Sequence, residues 1–212
     1  MPFESLLSEL LPGDLPHRDA CVKKAAQHLA LIVEINEQFN LTRIVEEREA
    51  VIKHVVDCVM PWKLFVGARR VVDAGTGAGF PGIPLAVLFP ETQFTLIEST
   101  QKKARFVESA VEAMGLENVD VEPVRAEEWL ASHTVDVVTA RAVAPLYRGL
   151  PLFAPALKKG ARVLLYKGPE MEAEIAEAGN ELKRRKATAR VVMRYELPEG
   201  AGGRSVVEVV AG

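Results

Sequence analysis

The chain has 212 residues, 49% of them hydrophobic and 26% charged, with a formal charge of −3. That is enough for one domain with a full core plus a modest extension, and the mild acidity excludes a protein that coats nucleic acid indiscriminately. No apolar run reaches membrane-spanning length, the N-terminus has neither a basic start nor a cleavable apolar segment, and Cys21 and Cys58 match no metal or redox spacing, so a cytoplasmic protein with buried thiols, no metal and no membrane contact is expected.

Residues 1 to about 60 read as helical. Leu6, Leu7, Leu10 and Leu11 form a short amphipathic piece that Pro12-Gly13-Asp14 ends. A longer helix from Arg18 carries Val22, Ala25, Ala26, Leu29, Ile32 and Val33 and is expected to end near Phe39-Asn40. A third, from about Glu46, sets Val51, His54, Val55 and Val59 on a common side before Pro61 breaks it. From Arg70 strands and helices alternate: strands at 70–74, 93–98, 119–124, 135–140 and 161–167, helices at 81–89, 100–114, 126–131, 145–157 and 170–186. Such alternation implies a parallel sheet covered on both faces. The last two strands, 189–197 and 204–210, are joined by a loop with no helix and must be antiparallel. The expected fold is α/β, a Rossmann-like seven-stranded sheet with a terminal antiparallel hairpin. An N-terminal helical extension, 1–66, caps a core of 67–212. Arg69-Arg70, Lys158-Lys159 and Lys183-Arg184-Arg185-Lys186 are either basic patches or solvated surface runs.

The chemistry concentrates at the first strand-to-helix corner, "RRVVDAGTGAGFPGIPLAVLFP", where four glycines follow a buried acidic strand end. Pro81 and Pro84 suit a first helical turn, whose N–H groups lack partners. A corner needs one or two glycines, so the excess points to a ligand lying against bare backbone. Gly77-x-Gly79-x-x-Gly82 satisfies the dinucleotide fingerprint, and Glu98 follows Gly77 by about 20 residues, where a ribose-binding acid belongs. The strand, however, ends at Gly75 just after an acid. Asp73-Ala74-Gly75-Thr76-Gly77-Ala78-Gly79 instead resembles motif I, D-x-G-x-G-x-G, of class I S-adenosylmethionine-dependent methyltransferases, which implies that fold and that cofactor.

Ligands of such sheets bind beyond the carboxyl ends of the strands. Glu98 either accepts two ribose hydroxyls or is an acid at a helix start whose cap Ser99 and Thr100 already supply. In "VRAEEW", Ala126 and Glu127 either meet an adenine edge or are ordinary first-turn positions. The fourth strand ends in Ala140-Arg141-Ala142-Val143, without the Pro-Pro-aromatic motif used on exocyclic amines. Neither cysteine lies in this half of the chain to serve as a nucleophile on a pyrimidine carbon. What remains is an acceptor that needs no covalent help. Arg141 is either a guanidinium fork for a phosphate, carboxylate or guanine edge, or a salt bridge over the sheet edge.

Taken together, "FNLTRI" (39–44), "IKHVVDC" (52–58), "VVDAGTGAGFPGIPLA" (71–86), "KKARFV" (102–107), "RAEEW" (125–129), "TARAV" (139–143), "YKG" (166–168) and "RSVVEV" (204–209) resemble the RsmG family, also called GidB, of bacterial 16S ribosomal RNA guanine-N7 methyltransferases. The resemblance covers nearly the whole chain and is weakest from about Gly168 to Arg190. It implies cofactor contacts at Gly75, Phe80, Ala126, Glu127 and Arg141, beside Asp73, Thr76, Gly77, Gly79 and Glu98 expected from motif I and the end of the second strand. It implies catalytic roles for Arg141 and Asn40, and RNA-facing roles for Asn40, His54, Arg125, Lys167 and Arg204. The partner it implies is 16S rRNA in the 30S subunit or an assembly intermediate, approached by a monomer. By residue type alone, Asn40 caps the third helix or bonds the base, and His54 is a packed histidine or an RNA contact. A small-molecule methyltransferase, or a noncatalytic ribosome-binding module on the same fold, are the competing readings.

Overall fold

The structure is a computed structural model that describes residues 2–44, 46–141 and 144–212. Ala142 and Val143, read above as part of the fourth strand's end, lie outside the described residues.

Among the described residues, seven strands form one sheet in the order β3-β2-β1-β4-β5-β7-β6. The strands are β1 (Arg70–Ala74), β2 (Gln93–Ile97), β3 (Val119–Glu122), β4 (Val137–Arg141), β5 (Arg162–Lys167), β6 (Ala187–Glu196) and β7 (Gly203–Ala211). The first five pair in parallel, and β7 enters antiparallel between β5 and β6. The order reverses direction between β1 and β4, so the carboxyl ends of those two strands border the crevice where such sheets take ligands.

Alternate residues of each strand serve different faces. Val71, Phe94, Leu96, Val137 and Leu164 join one apolar cluster with α5 (Gly82–Leu88) and α6 (Gln101–Met114). Val72, Ile97, Val138, Val163 and Leu165 join another with α7 (Ala126–Ser132) and α8 (Leu146–Lys158). The N-terminal helices α1 (Pro2–Leu10) and α2 (Arg18–Asn36) bury Phe3, Leu7, Cys21, Ala26 and Leu29 in the first cluster. They therefore complete a core that α5 and α6 would leave partly bare. Both cysteines are free and buried, and burial pushes the Cys21 thiol up to about 12.

Several boundaries differ from the sequence reading for local reasons. The second helix stops at Asn36, whose side chain accepts from Leu41 N and Thr42 N and donates to Thr42 O, shaping the turn after it. The third helix starts as α3 (Glu47–Ala50), is π-wound over Val51–Val56, and ends as α4 (Asp57–Val59). Its N-cap is Glu46, which accepts from Arg48 N and Glu49 N, so Asn40 is not the cap. Pro81 is the N-cap of α5 and stands just outside the helix. The expected helix over 170–186 breaks at Ala178 into α9 (Glu172–Glu177), which buries no residue, and α10 (Gly179–Arg185). The hairpin loop holds a short 3-10 turn, Pro198–Gly200. Two of the basic runs are tied down: Lys159 donates to the carbonyls of Leu130, Ala131 and His133 at the end of α7, and Arg184 and Arg185 pair with Glu181.

Gly82 is the tightest point of the β1–α5 corner. A Cβ there would lie 2.1 Å from Leu96 Cδ2 and 2.9 Å from Asp73 Oδ2. Gly82→Ala is expected to cost about 1–3 kcal/mol by overpacking. Thermal denaturation should show it as a fall of about 2–4 °C per kcal/mol.

Candidate functional site

The Gly-rich loop is built by a buried acid. Asp73 Oδ2, with no exposed surface around it, accepts from Thr76 Oγ1 at 2.6 Å and from Gly82 N at 2.8 Å. This ties the end of β1 to the start of α5, while Gly75 N and Thr76 N donate to Ile97 O on the neighbouring strand. Asp73 and Thr76, expected at the cofactor, instead shape the loop from below. The glycines divide the same way. A Cβ on Gly79 would strike Ile83 Cδ1 at 2.5 Å, so this glycine serves packing. Gly75 and Gly77, at φ of +78° and +63°, would point a Cβ into open space, which is the cradle a ligand needs.

Glu98 stands behind that cradle, 8% exposed, with Oε2 accepting from Gly77 N at 3.1 Å and Oε1 from Thr100 N at 2.7 Å. Thr100 is the N-cap of α6 but its side chain makes no capping bond, so the expected Ser/Thr cap is not made, and Glu98 instead holds the N–H of Thr100 itself. A carboxylate accepts about four hydrogen bonds, which leaves Glu98 capacity for hydroxyls. A cavity of about 300 Å³ opens beside the loop, lined by Ala74, Gly75, Ile97, Ser99, Arg125, Ala126, Glu127 and Arg141. Arg125, expected at the substrate, therefore lies on this side.

A second cavity, of about 460 Å³, lies between the third helix and the ends of β4, β5 and β7. Ile44, Lys53, His54, Asp57, Arg141, Tyr166, Lys167 and Arg204 line it. Lys167 pairs with Glu174 at 2.7 Å and donates to Ala144 O. His54 Nε2 lies 3.2 Å from Thr42 Oγ1, and its ring stacks on Phe80 at 4.8 Å with an 8° tilt. Arg141 sits over the same Phe80 ring at 5.4 Å. Phe80 is thus part of the wall between the two cavities rather than a lining residue of either. Arg141 lines both. Asn40 is exposed, and neither cavity includes it.

Three residues escaped the sequence reading. Asp57 is the one acid in the largely apolar stretch 50–59, the one signal that marked it, and lies 3.5 Å from Arg141 and 3.6 Å from Arg204. Tyr195, from the far hairpin strand, donates to Asp57 Oδ1 at 2.8 Å. His28 on α2 is buried, with Nε2 at 2.8 Å from Ala78 O and its ring 4.7 Å from Phe80, so the N-terminal helices grip the Gly-rich loop directly.

The profile of GidB, described as rRNA small subunit methyltransferase G, matches residues 21–199. The chain belongs to this family. Among its relatives is "Ribosomal RNA small subunit methyltransferase G" of Solibacter usitatus, 63% identical over 209 residues, 99% of this chain and 100% of the relative. The proteins of that name in Brevibacillus brevis, 39% identical over 84% of this chain and 77% of the relative, and Lactococcus lactis subsp. cremoris strain MG1363, 35% identical over 94% and 87%, are also similar. Solved structures share the fold. An O-methyltransferase from Bacillus cereus in complex with SAH has a TM-score of 0.59 at 17% identity, over 87% of this chain and 90% of that one. Precorrin-6Y C5,15-methyltransferase from Geobacter metallireducens reaches 0.58 at 13% identity, over 84% and 96%. The GidB fold here is a class I S-adenosylmethionine-dependent methyltransferase fold with the expected closing hairpin.

Two expected outcomes follow from this geometry. Gly77→Val places a β-branched side chain at φ +63° in the open cradle; calorimetric titration should find S-adenosylmethionine affinity reduced by about tenfold or more. The second concerns acid. Burial lowers His28 to about 3, and burial with the Arg141 charge lowers His54 to about 4, both below the ordinary 6.5. The unfolded chain takes up these protons first, so stability is lost as pH falls below 6.5. Burial raises Asp73 from 3.8 to about 6, which acts in the opposite sense, because there the folded chain binds the extra proton. Two protons against one make stability fall between pH 6 and 4 by about 1.4 kcal/mol per pH unit from these groups. Urea midpoints at pH 7 and 5 measure the fall, and His28→Leu should flatten it.

Proposed function

We propose that this protein transfers a methyl group from S-adenosylmethionine to N7 of one guanosine in 16S rRNA, acting as a cytoplasmic monomer on the 30S subunit or its assembly intermediate. Its family membership makes it an S-adenosylmethionine-dependent rRNA small subunit methyltransferase. Among the described residues no helix is long and apolar enough to cross a membrane.

The observation that carries the proposal is Arg141, shared by a glycine-floored cavity and a cation-lined one. The open face over Gly75 and Gly77 fits the cofactor, with Glu98 behind it for the ribose and Ala126 and Glu127 for the adenine. When bound, S-adenosylmethionine supplies an electrophilic methyl carbon on a sulfonium. Guanine N7 carries its lone pair unprotonated at neutral pH, so the protein has to align and desolvate it, and needs no base. The second cavity matches that task. His54, held at about 4, is neutral at physiological pH and lines the cavity with Phe80 stacked behind it, so it brings no proton. Lys53, Lys167 and Arg204 surround the cavity with donors for the base's O6 and flanking phosphates.

The test is methyl transfer from labelled cofactor to 30S subunits and to naked 16S RNA from cells lacking the gene, with products mapped by cleavage at 7-methylguanosine. A single mapped guanosine is the expected result, and transfer to neither substrate would refute the proposal. In the same assay Arg141→Ala should lower kcat by about tenfold or more with the fold retained.

A further inference from the structure

The Lys53 carbonyl is an unexpected partner for Arg141. In an α-helix the N–H of residue 57 would take the carbonyl of residue 53. Because the segment Val51–Val56 is π-wound, the Asp57 N–H goes to Ile52 O instead. The Lys53 carbonyl then accepts from Arg141 Nη1 at 2.7 Å. Such π-turns recur at functional sites because they change which groups a helix presents.

The residue that ends this turn is Asp57, with a side chain only 6% exposed. Its Oδ2 lies 3.5 Å from Arg141 Nη1, its Oδ1 lies 3.6 Å from Arg204 Nε, and Oδ1 also accepts from Tyr195 OH at 2.8 Å. One carboxylate against two guanidinium groups leaves net positive charge facing the cavity. Lys167, by contrast, has its charge matched by Glu174. Among the described residues that line the cavity, Asp57 is also the sole carboxylate.

We propose that Asp57 is a positioning residue: it fixes Arg141, which borders the cofactor cavity, and Arg204, which borders only the acceptor cavity, as a pair aimed at the nucleotide. The proposal rests on the reading of that cavity as the acceptor site. Arginine carries much rotamer freedom, and a pre-set fork loses less of it when it binds. The π-turn contributes by presenting a carbonyl and a carboxylate from adjacent turns to the same guanidinium.

The test uses the full chain, with Asp57→Asn and Tyr195→Phe compared with wild type. Asp57→Asn removes the charge while its amide oxygen still accepts from Tyr195; Tyr195→Phe removes only the hydroxyl. Asp57→Asn is expected to lower kcat on ribosomal RNA by about tenfold or more, while Tyr195→Phe stays within about threefold. Nitrogen-15 spectra of the arginine side chains should show slowly exchanging, dispersed guanidinium signals for Arg141 and Arg204 in wild type and Tyr195→Phe, collapsing in Asp57→Asn. Unchanged spectra or kcat in Asp57→Asn would overturn the proposal. So would an equal loss in Tyr195→Phe, which would make Asp57 a structural anchor for β6. Should Asp57→Asn fail to fold, the wild-type spectra decide, since absent slow signals refute a fixed pair. If wild type methylates no ribosomal RNA, the acceptor reading fails, and the same spectra still test the part assigned to Asp57.

Discussion

One carboxylate oxygen holds the corner from which the site is built. Asp73 Oδ2 accepts from a hydroxyl within the loop and from the first N–H of α5, so the end of β1, the Gly-rich turn and the helix move as a unit. Fixing an acid in the interior is costly, and its raised proton affinity records that cost. The return is a turn in which Gly75 and Gly77 present bare backbone outward while Gly79 and Gly82 pack inward. The same four glycines thus do two different jobs, and the direction of each Cβ vector separates them.

The second constraint is the two-sided sheet. Because β1 and β4 lie side by side with crossovers leading away in opposite directions, their carboxyl ends open a crevice, with Gly75 at one end and Arg141 at the other. The N-terminal helices cover one face and reach into that crevice. His28 holds the glycine loop by Ala78 O, and the π-wound helix brings His54 and Asp57 to Phe80 and Arg141. This extension is therefore both core and site, which explains why so many apolar residues of 1–60 belong to the same cluster as α5 and α6.

Much of the fold was legible because period and punctuation were strong. Short apolar, β-branched runs alternating with helical ones announced the parallel strands, and a loop without helix announced the hairpin. Asp73, Gly77 and Glu98 were picked out by spacing. Their individual duties were not, because spacing carries no information on which way a side chain or Cβ vector points. Residue type also misled at Thr100, which stands at the N-cap of α6 without a side-chain capping bond while Glu98 takes Thr100's own N–H; at Asn40 the capping alternative falls because Glu46 caps the third helix.

The sequence by itself determined the α/β alternation, the glycine corner, the closing hairpin and the family, since each is encoded in residues close together in the chain. Only the tertiary structure decided the second cavity. Its lining residues Lys53, Asp57, Arg141, Tyr166, Lys167 and Arg204 come from one helix and three strands or strand ends, and the contacts of Arg141 with Lys53 and Asp57 span more than 80 positions. The helix register that exposes the Lys53 carbonyl is likewise a product of packing, because the same residues read as an unbroken α-helix until Arg141 arrives to take the carbonyl that the π-turn leaves to it.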